Sequence, residues 1–388
     1  MPQLSALRSH LAKFATTTTN IMSAKHRVSV IGSGNWGSAI AKIVAENTAI
    51  HGDQFETDVR MWVFEELVDG RKLTEIINTT HENVKYLKSI RLPVNVVAVP
   101  DLLDAVTGSD ILVFNVPHQF LPRICNTLRG HVPASVRAVS CIKGVELSAE
   151  NGITIIAEYI SQQLGIYCGA LSGANLAPEV ALEKFSETTV AYKVPQALAQ
   201  QPPELITQST IKSLFHRPYF HVNVVNDVAG VSICGALKNI VALASGFVDG
   251  MEWGDNAKSA IIRRGLLEMI QFGKDFFPLA NPATVTEESC GVADVITSCA
   301  GGRNHRVGVA FIKAQKTSPG KSIFDIESEL LDGQKAQGVT TAQEVYEFLN
   351  RRGKTGQYPL FSAVNDILFN NLDSYALPRI LEKVEKQL

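Results

Sequence analysis

The sequence has almost no net charge and no clustered cysteines. Its 388 residues include 36 Lys+Arg and 38 Asp+Glu, which give a formal net charge of −2. This balance argues against a protein that binds nucleic acid non-specifically, because such a protein usually has a basic surplus. The six cysteines lie far apart, with no CxxC pair and no Cys/His cluster of zinc spacing. These absences favour a reduced intracellular compartment over a disulfide scaffold and predict no metal site.

One stretch of the chain is long and apolar enough to be tested as a membrane span. Residues 228–248 carry a single charge, Lys238, and are long enough to span a bilayer. A lysine at the centre of a membrane span is costly, and Ser232, Asn239 and Ser245 add polarity. The run therefore predicts a helix buried inside a soluble protein, and we expect no membrane partner.

Acidic residues are absent before Glu46, and residues 1–24 show little periodicity. This segment contains Arg8, Lys13 and the threonine run Thr16–Thr19. We interpret it as an N-terminal extension, either a flexible tail or a weak mitochondrial transit peptide. Met22 is a candidate alternative start.

From residue 25 to about residue 226, strand-like and helix-like patterns alternate. Apolar runs predict strands at 28–31, 59–63, 111–116, 136–142, 188–192 and 220–225. Amphipathic runs predict helices at 36–47, 118–128 and 151–163. Such alternation predicts an α/β fold with a Rossmann-like, doubly wound parallel sheet.

Helical periodicity continues from there to the end of the chain. Helices are predicted at 228–248, 257–272, 284–299, 304–316, 322–332, 340–351, 360–371 and 376–387. The stretch 195–204 is expected to loop out near the junction. We therefore predict an extension over 1–24, a nucleotide-binding domain over 25–215 and an all-α domain over 216–388.

The first predicted strand leads into a glycine loop, Gly32-Ser33-Gly34-Asn35-Trp36-Gly37, and then into a helix. Gly32 permits a tight turn, Gly34 lets the backbone approach a pyrophosphate, and Gly37 lets the helix pack against the strand. The helix N-terminus offers unpaired N–H groups to phosphates. A G-x-G-x-x-G motif between a strand and a helix predicts dinucleotide binding. The alternative is a glycine-rich turn without a ligand.

Glu65 and Glu66 follow the second predicted strand, where an acidic residue binds the adenosine ribose of NAD. No arginine stands immediately after the strand to bind a 2′-phosphate, although Arg71 is near. The pattern favours NAD over NADP. A solvated turn is the alternative for the two glutamates.

Several charged residues lie in apolar or glycine-rich surroundings. Lys238 in the middle of an apolar helix is either an acid/base group with a lowered pKa or a lysine that reaches the surface. Lys143 directly follows a strand and either faces the crevice or lies in solvent. Arg303 follows two glycines, a setting suited to gripping a phosphate.

Two further sites are ambiguous from position alone. Asp294 and Ser298 are four residues apart and share a helix face, although a surface aspartate is the alternative. His118 follows a buried strand and is either an acid/base candidate or a capping or core residue. The sequence contains no Walker A, HExxH or G-x-S-x-G motif, so no motif for another kind of catalysis is present.

Together, the residues quoted above resemble a known family. The stretches 31–37, 61–66, 117–120, 142–144, 171–175, 235–239 and 301–304 resemble NAD-dependent glycerol-3-phosphate dehydrogenases of the eukaryotic cytosolic, fungal-like type. The string 78–87 is similar to the same family. The resemblance runs from about residue 25 to residue 370. It implies a Rossmann domain followed by a helical domain, in a cytoplasmic homodimer.

The resemblance also implies roles for individual positions. Lys238 matches the catalytic lysine that donates a proton to the substrate carbonyl, and Lys143, Asp294 and Ser298 join it. The positions implied for substrate are Lys143, Lys238, Asn239, Arg303 and Asn304. The positions implied for NAD are Gly32, Ser33, Gly34, Asn35, Trp36, Gly37, Phe64, Phe120, Lys143, Ala177, Arg303, Lys335 and Gln337. Lys335 and Gln337 match a mobile loop that closes over the cofactor.

The implied reaction interconverts dihydroxyacetone phosphate and NADH with sn-glycerol 3-phosphate and NAD. One alternative is another Rossmann-plus-helical dehydrogenase, such as a 3-hydroxyacyl-CoA or sugar-acid enzyme. A second is a non-catalytic NAD(H)-sensing protein that kept the fold. Gln3-Leu4 and His10-Leu11 are similar to a peroxisomal type-2 signal, with Gln3 where Arg or Lys is usual. A peroxisomal or mitochondrial fraction directed by residues 1–21 is therefore an alternative to a purely cytoplasmic location.

Overall fold

The computed structural model describes residues 25–148, 152–193, 206–318, 320–331 and 334–385. The N-terminal extension, with its targeting signals and Met22, and the predicted loop at 195–204 lie outside the described residues. The strands are β1 (His26–Ile31), β2 (Phe55–Trp62), β3 (Leu67–Val68), β4 (Arg71–Lys72), β5 (Glu82–Asn83), β6 (Leu87–Arg91), β7 (Val96–Val99), β8 (Ile111–Phe114), β9 (Arg137–Ser140), β10 (Val145–Ser148), β11 (Gly152–Ile155), β12 (Tyr167–Ser172), β13 (Ser186–Ala191) and β14 (Phe220–Val225).

The helices are α1 (Asn35–Ile50), α2 (Leu73–Thr80), α3 (Leu102–Val106), α4 (Leu121–Leu128), α5 (Ile156–Leu164), α6 (Ala177–Ala181), α7 (Gln208–Phe215), α8 (Val228–Gly250), α9 (Asp255–Phe276), α10 (Pro282–Glu287), α11 (Asp294–Gly301), α12 (Arg303–Thr317), α13 (Ile323–Leu330), α14 (Gln337–Arg351), α15 (Pro359–Phe369) and α16 (Leu377–Glu385). The order of these elements confirms the predicted architecture, because strands and helices alternate up to β14 and helices follow.

Eight strands form one sheet, in the order β14-β13-β12-β9-β8-β1-β2-β7. All neighbouring pairs are parallel except β12 and β13. From β1 the chain passes to β2 and β7 on one side, and β8, β9 and β12 lie on the other. The strand order therefore reverses between β1 and β8, and ligands of such sheets bind outside the carboxyl ends of the strands at that point. The sheet confirms the doubly wound α/β prediction.

The structure differs from the sequence prediction at residues 152–155. The helix predicted over 151–163 begins only at Ile156, because Gly152–Ile155 pairs antiparallel with Val145–Ser148. The β-branched residues Ile153, Thr154 and Ile155 favour a strand over a helix. The helical prediction for residues 152–155 is therefore wrong. Within the eight-stranded sheet, β7 and β12 were not predicted from the sequence, and neither were the short strands β3–β6, β10 and β11 outside it.

The apolar run around Lys238 forms α8, the central helix of the second half. Among the described residues it is the one helix long and apolar enough to cross a membrane, and 94% of its most apolar window is buried inside the protein. Glycines bring α12 close to it: a Cβ on Gly246 would lie 2.3 Å from the His305 carbonyl oxygen. The prediction of a buried core helix is confirmed.

The helix predicted over 284–299 is not continuous. Helix α10 ends at Glu287, a π-helical turn covers Ser289–Ala293, and α11 begins at Asp294. Gly291 has non-helical torsions (φ −92°, ψ −111°), and a Cβ there would lie 2.1 Å from the Val285 carbonyl oxygen. The single-helix prediction is wrong because this close backbone approach breaks the helix. The break places Asp294 in the first turn of α11, where the helix dipole favours a carboxylate.

Candidate active site

The ends of neighbouring strands bring several predicted site residues to one edge of the sheet. Trp62, Ile31, Phe114 and Ser140 stand side by side in the registers of β2, β1, β8 and β9. The chain leaves all four parallel strands on the same edge. The predicted residues that follow these strands are the glycine loop 32–37, Phe64, Phe120 and Lys143.

The glycine loop has the geometry that a dinucleotide requires. Gly32 has φ +111°, which favours glycine, and a Cβ on Gly37 would lie 2.1 Å from the Gly32 carbonyl oxygen. A Cβ on Gly34 would meet nothing within 4 Å, so the backbone there is open to a ligand. Gly34 also precedes α1 without a side-chain cap, which leaves the first N–H groups of that helix available. The loop therefore fits a pyrophosphate.

Asn83 holds this loop in place, and sequence reasoning assigned it no role. Its buried side-chain amide donates to the Ser33 carbonyl oxygen (2.7 Å) and to Ser38 Oγ (2.8 Å). Its Oδ1 accepts from the Tyr86 N–H (3.1 Å). Asn83 lies in the string 78–87 that resembles the family, which was the available signal.

Two polar atoms beside the loop lack a partner within the described part of the chain, and two aromatic rings after the neighbouring strands are exposed. Asn35 Oδ1 and Asn115 Oδ1 are buried and have no hydrogen-bond partner among the described residues. Phe64 and Phe120 expose 64% and 52% of their surface, which is unusual for phenylalanine. Trp36 is different, because its half-buried ring packs 6.2 Å from the ring of Phe220.

Ala177 and the two glutamates after β2 have protein contacts. Ala177 begins α6 and packs against a small apolar cluster formed by Ala39, Leu87, Ile90 and Ala181. Glu65 accepts from the Thr74 hydroxyl (2.6 Å), and Glu66 accepts from the Tyr86 hydroxyl (2.6 Å) and pairs with Lys85. These contacts orient the turn after β2, where Phe64 is exposed.

Four of the predicted catalytic residues form one hydrogen-bonded cluster. Lys238 Nζ donates to Asp294 Oδ1 (2.5 Å) and to Ser298 Oγ (2.6 Å). Lys143 Nζ donates to the other carboxylate oxygen, Asp294 Oδ2 (3.0 Å). Asp294 and Lys238 are buried, whereas 29% of the Lys143 side chain is exposed. The sheet half and the helical half thus each bring a lysine to one buried carboxylate.

The environment of Lys238 makes it titratable near neutral pH. Burial lowers the pKa of its ammonium group from 10.5 to about 7; the Asp294 carboxylate opposes this shift and the Lys143 charge adds to it. A group with a pKa near the working pH can both donate and accept a proton. The cluster can therefore act as an acid and a base.

A small cavity lies next to this cluster, between the ends of β9 and β12 and helix α8. Ser172 Oγ is buried there without a hydrogen-bond partner among the described residues. A Cβ on Gly235 would lie 2.9 Å from that oxygen and 3.4 Å from Lys143 Cγ. The cavity is lined by Ser140, Ile142, Lys143, Ala157, Ala170, Leu171, Ser172, Val231, Ser232 and Gly235. Ser172 was not predicted as a site residue, although it lies in the stretch 171–175 that resembles the family.

The remaining predicted substrate residues meet at the N-terminus of α12. The Asn304 side-chain amide donates to Asn239 Oδ1 (2.9 Å), and Asn304 Oδ1 accepts from the Gly338 N–H (2.8 Å). Arg303 is exposed and donates to Gln334 Oε1 (3.2 Å). Because Asn239 adjoins Lys238 in α8, these amides lie beside the lysine cluster.

Two sequence candidates have partners outside the lysine cluster. His118 is buried, and its Nε2 lies 2.7 Å from Glu146 Oε2. Lys335 Nζ lies 2.7 Å from Glu327 Oε2. Gln337 begins α14. Their roles toward a ligand stay predictions.

Comparison with known proteins gives a consistent result. The protein-family model for the N-terminus of NAD-dependent glycerol-3-phosphate dehydrogenase matches residues 27–198. The family model for its C-terminus matches residues 227–378. The chain is 55% identical over 359 residues to the glycerol-3-phosphate dehydrogenase [NAD(+)] of Pichia angusta, covering 92% of each chain. It is 54% identical over 371 residues to the mitochondrial glycerol-3-phosphate dehydrogenase [NAD(+)] 2 of Saccharomyces cerevisiae, covering 96% of this chain and 83% of that one.

A solved structure agrees with both matches. The glycerol-3-phosphate dehydrogenase structure from Saccharomyces cerevisiae superposes with a TM-score of 0.85 at 54% identity, covering 92% of this chain and 99% of that chain. The glycine loop, the reversed strand order and the helical second half are thus accompanied by similarity over nearly the whole chain. The chain belongs to the NAD-dependent glycerol-3-phosphate dehydrogenase family and is an oxidoreductase that uses NAD.

Proposed function

We propose that this enzyme interconverts dihydroxyacetone phosphate and sn-glycerol 3-phosphate, with Lys238 as the proton donor and acceptor. The observation that carries the proposal is the buried Lys238 ammonium, which is hydrogen-bonded to Asp294 and Ser298 and has a pKa lowered to about 7. The bound nicotinamide supplies or takes up the hydride. Lys238 gives its proton to the carbonyl oxygen in reduction and receives one in oxidation.

The neighbours of Lys238 set its charge and position. Asp294 accepts from both lysines, which favours the protonated form of Lys238 and holds its Nζ in place. Ser298 Oγ accepts a second hydrogen bond from the same Nζ. Lys143, at the end of β9, adds positive charge beside the cavity and contacts both substrate and cofactor in this proposal. Asp294 and Ser298 orient the acid, and the positive charge of Lys143 stabilises the developing alkoxide.

The substrate phosphate is held at the N-terminus of α12. Arg303 offers several donors in a fork that matches phosphate oxygens. Asn304 and Asn239 share one hydrogen bond and lie beside Arg303 and Lys238, respectively. Anchoring the phosphate there orients the carbonyl toward Lys238.

NAD lies along the edge of the sheet in this proposal. The glycine loop binds the pyrophosphate through Gly32, Ser33, Gly34, Asn35, Trp36 and Gly37. Phe64 and Phe120 offer exposed rings, and Ala177 a backbone contact. Lys335, Gln337 and Arg303 approach from the helical half. The sheet half and the helical half divide these tasks. The domain boundary predicted after residue 215 is too early, because Phe220–Val225 is a strand of the same sheet.

A substrate panel tests the proposal. We expect dihydroxyacetone phosphate to support loss of NADH absorbance, and sn-glycerol 3-phosphate to support the reverse reaction with NAD. A 3-oxoacyl-CoA and a keto sugar acid serve as rival substrates, and both should be turned over far more slowly. Activity with a rival that exceeds the activity with dihydroxyacetone phosphate would overturn the assignment.

We also propose a cytoplasmic homodimer, with residues 1–21 able to direct a fraction to mitochondria or peroxisomes. The mitochondrial designation of one Saccharomyces cerevisiae relative supports the targeting alternative. Light scattering of the purified protein should give twice the chain mass of 42.2 kDa. Fluorescently tagged chains with and without residues 1–21 should differ in location if the segment is a working signal, and should coincide if it is not.

A further inference from the structure

The segment Gln334–Gly338 is fastened to the helical half at several points. Gln334 accepts from Arg303 at one end (3.2 Å), and the Gly338 N–H donates to Asn304 at the other (2.8 Å). A Cβ on Gly338 would lie 2.5 Å from the Asn239 carbonyl oxygen, so the segment docks closely on α8. The segment therefore lies directly against the residues proposed to hold the substrate.

Between these two ends, a single carboxylate holds the segment. Glu327 is 3% exposed, and its two oxygens have different partners. Oε2 accepts from Lys335 Nζ (2.7 Å), and Oε1 accepts from the Ala336 N–H (2.6 Å). A buried carboxylate is stable only when it is paired and hydrogen-bonded, so Glu327 and the segment depend on each other.

The two partners differ in their exposure. Ala336 is 1% exposed, whereas the Lys335 side chain is 61% exposed. Glu327 thus fixes the backbone of the segment from inside while the lysine remains accessible to a ligand. The Glu327 carboxylate also interacts electrostatically with Arg303, which places the same carboxylate near a second cation of the cleft.

We propose that Glu327 is a positioning residue for the dinucleotide: it holds Lys335 and Ala336 so that the segment Gln334–Gly338 is arranged for the cofactor before the cofactor binds. The inference rests on the proposed contacts of Lys335 and Gln337 with NAD, and it restricts the movement that the resemblance implies for this loop. Glu327 itself does not touch the cofactor in this account. It acts by lowering the ordering cost of the segment, which raises the affinity for the dinucleotide.

The helix that carries Glu327 also supplies a matched control. Glu329 lies two residues further along α13 and pairs with Lys321, but its side chain is 65% exposed. Such an exposed pair contributes little to stability. Glu329→Gln therefore removes the same charge from the same helix without touching the segment.

Titration of the full-length protein with NADH, followed by nucleotide fluorescence, tests the proposal without turnover. We expect Glu327→Ala to weaken NADH binding about tenfold and Glu327→Gln about threefold, because Gln retains an acceptor for the Ala336 N–H but cannot pair with Lys335. Glu329→Gln should bind NADH as the wild type does. Wild-type or tighter NADH binding by Glu327→Gln would overturn the proposal, and that variant remains informative if Glu327→Ala fails to fold.

A double-mutant cycle separates positioning from a general loss of structure. Lys335→Met should weaken NADH binding, and adding Glu327→Gln should weaken it by less than in the wild-type background, because the pair is already broken. Fully additive effects, or wild-type affinity in Lys335→Met, would contradict the proposal. Absence of turnover with dihydroxyacetone phosphate would instead refute the proposed reaction. The NADH binding constants could still be measured and would still test the role of Glu327.

Discussion

The two sides of the cleft present positive charge by different means. The glycine loop offers backbone N–H groups at the start of α1, and its side chains contribute little to that task. The helical side offers ammonium and guanidinium groups, with Lys238 and Lys143 sharing Asp294. Backbone dipoles do not titrate, whereas a buried lysine does. We therefore expect the glycine side to govern cofactor affinity and the lysine side to govern rate and pH dependence.

The largest effect should follow removal of the acid. Lys238→Ala should lower kcat about a thousandfold, because the carbonyl oxygen loses its proton donor, while NADH affinity stays close to wild type. Steady-state assays and NADH fluorescence titration measure the two quantities. Lys354, which pairs with Asp275 elsewhere in the helical half, supplies the control, and Lys354→Ala should retain wild-type kcat. A wild-type kcat in Lys238→Ala would contradict the assigned role.

Two glycines of the loop should separate binding from stability. A Cβ on Gly34 meets open space, so Gly34→Ala should fold with an unchanged melting temperature yet weaken NADH binding about a hundredfold, because the methyl group occupies the pyrophosphate position. A Cβ on Gly37 collides with the Gly32 carbonyl oxygen, so Gly37→Ala should lower the free energy of unfolding by about 2 kcal/mol. Thermal melts and NADH titration check both. Equal melting temperatures for the two variants would contradict the assignment of a binding role to Gly34 and a packing role to Gly37.

Arg303 tests whether the helical side recognises phosphate. Arg303→Met should reduce kcat/KM for dihydroxyacetone phosphate about thirtyfold, since a charge-assisted contact is lost. Activity with dihydroxyacetone, which has no phosphate, should change much less when both substrates are assayed at saturating NADH. Arg306→Met, on the same helix α12, is the control. An equal loss for both substrates would show that Arg303 does not bind the phosphate.

The smallest effects should be opposite shifts in pH dependence. The Asp294 carboxylate raises the pKa of Lys238 and the Lys143 charge lowers it. Asp294→Asn should therefore move the pH at which kcat for reduction falls by about one unit downward, and Lys143→Met should move it upward. Profiles of kcat against pH measure the shifts, with circular dichroism to confirm folding. Shifts in the same direction would contradict the electrostatic account.

The sequence reveals the two sides of the cleft to different degrees. Gly32–Gly37 is continuous, so strand, turn and helix could be predicted from local pattern alone. Lys143, Lys238 and Asp294 are far apart, and each had a plausible surface alternative until the resemblance was considered. The fold then brings their atoms within hydrogen-bonding distance.

Some features had no local signal. Apolar periodicity runs through residues 284–299, so the break at Gly291 that orients Asp294 was not predicted; it depends on contact with the backbone of Val285. Asn83 supports a loop 50 positions away in the sequence. In the sequence, Glu327 is one of several acidic residues in α13. Its burial in the fold distinguishes it from Glu329.

The dependence of both reaction directions on pH tests the central claim, that buried Lys238 is the acid and the base. For the wild type, kcat/KM for reduction of dihydroxyacetone phosphate should fall and kcat/KM for oxidation of sn-glycerol 3-phosphate should rise through a common pKa of about 7, because the two directions need opposite protonation states of the free enzyme. In Lys238→Ala this transition should disappear from the residual rates of both directions. Retention of the same transition in that variant would contradict the account, because another group would then be carrying the proton.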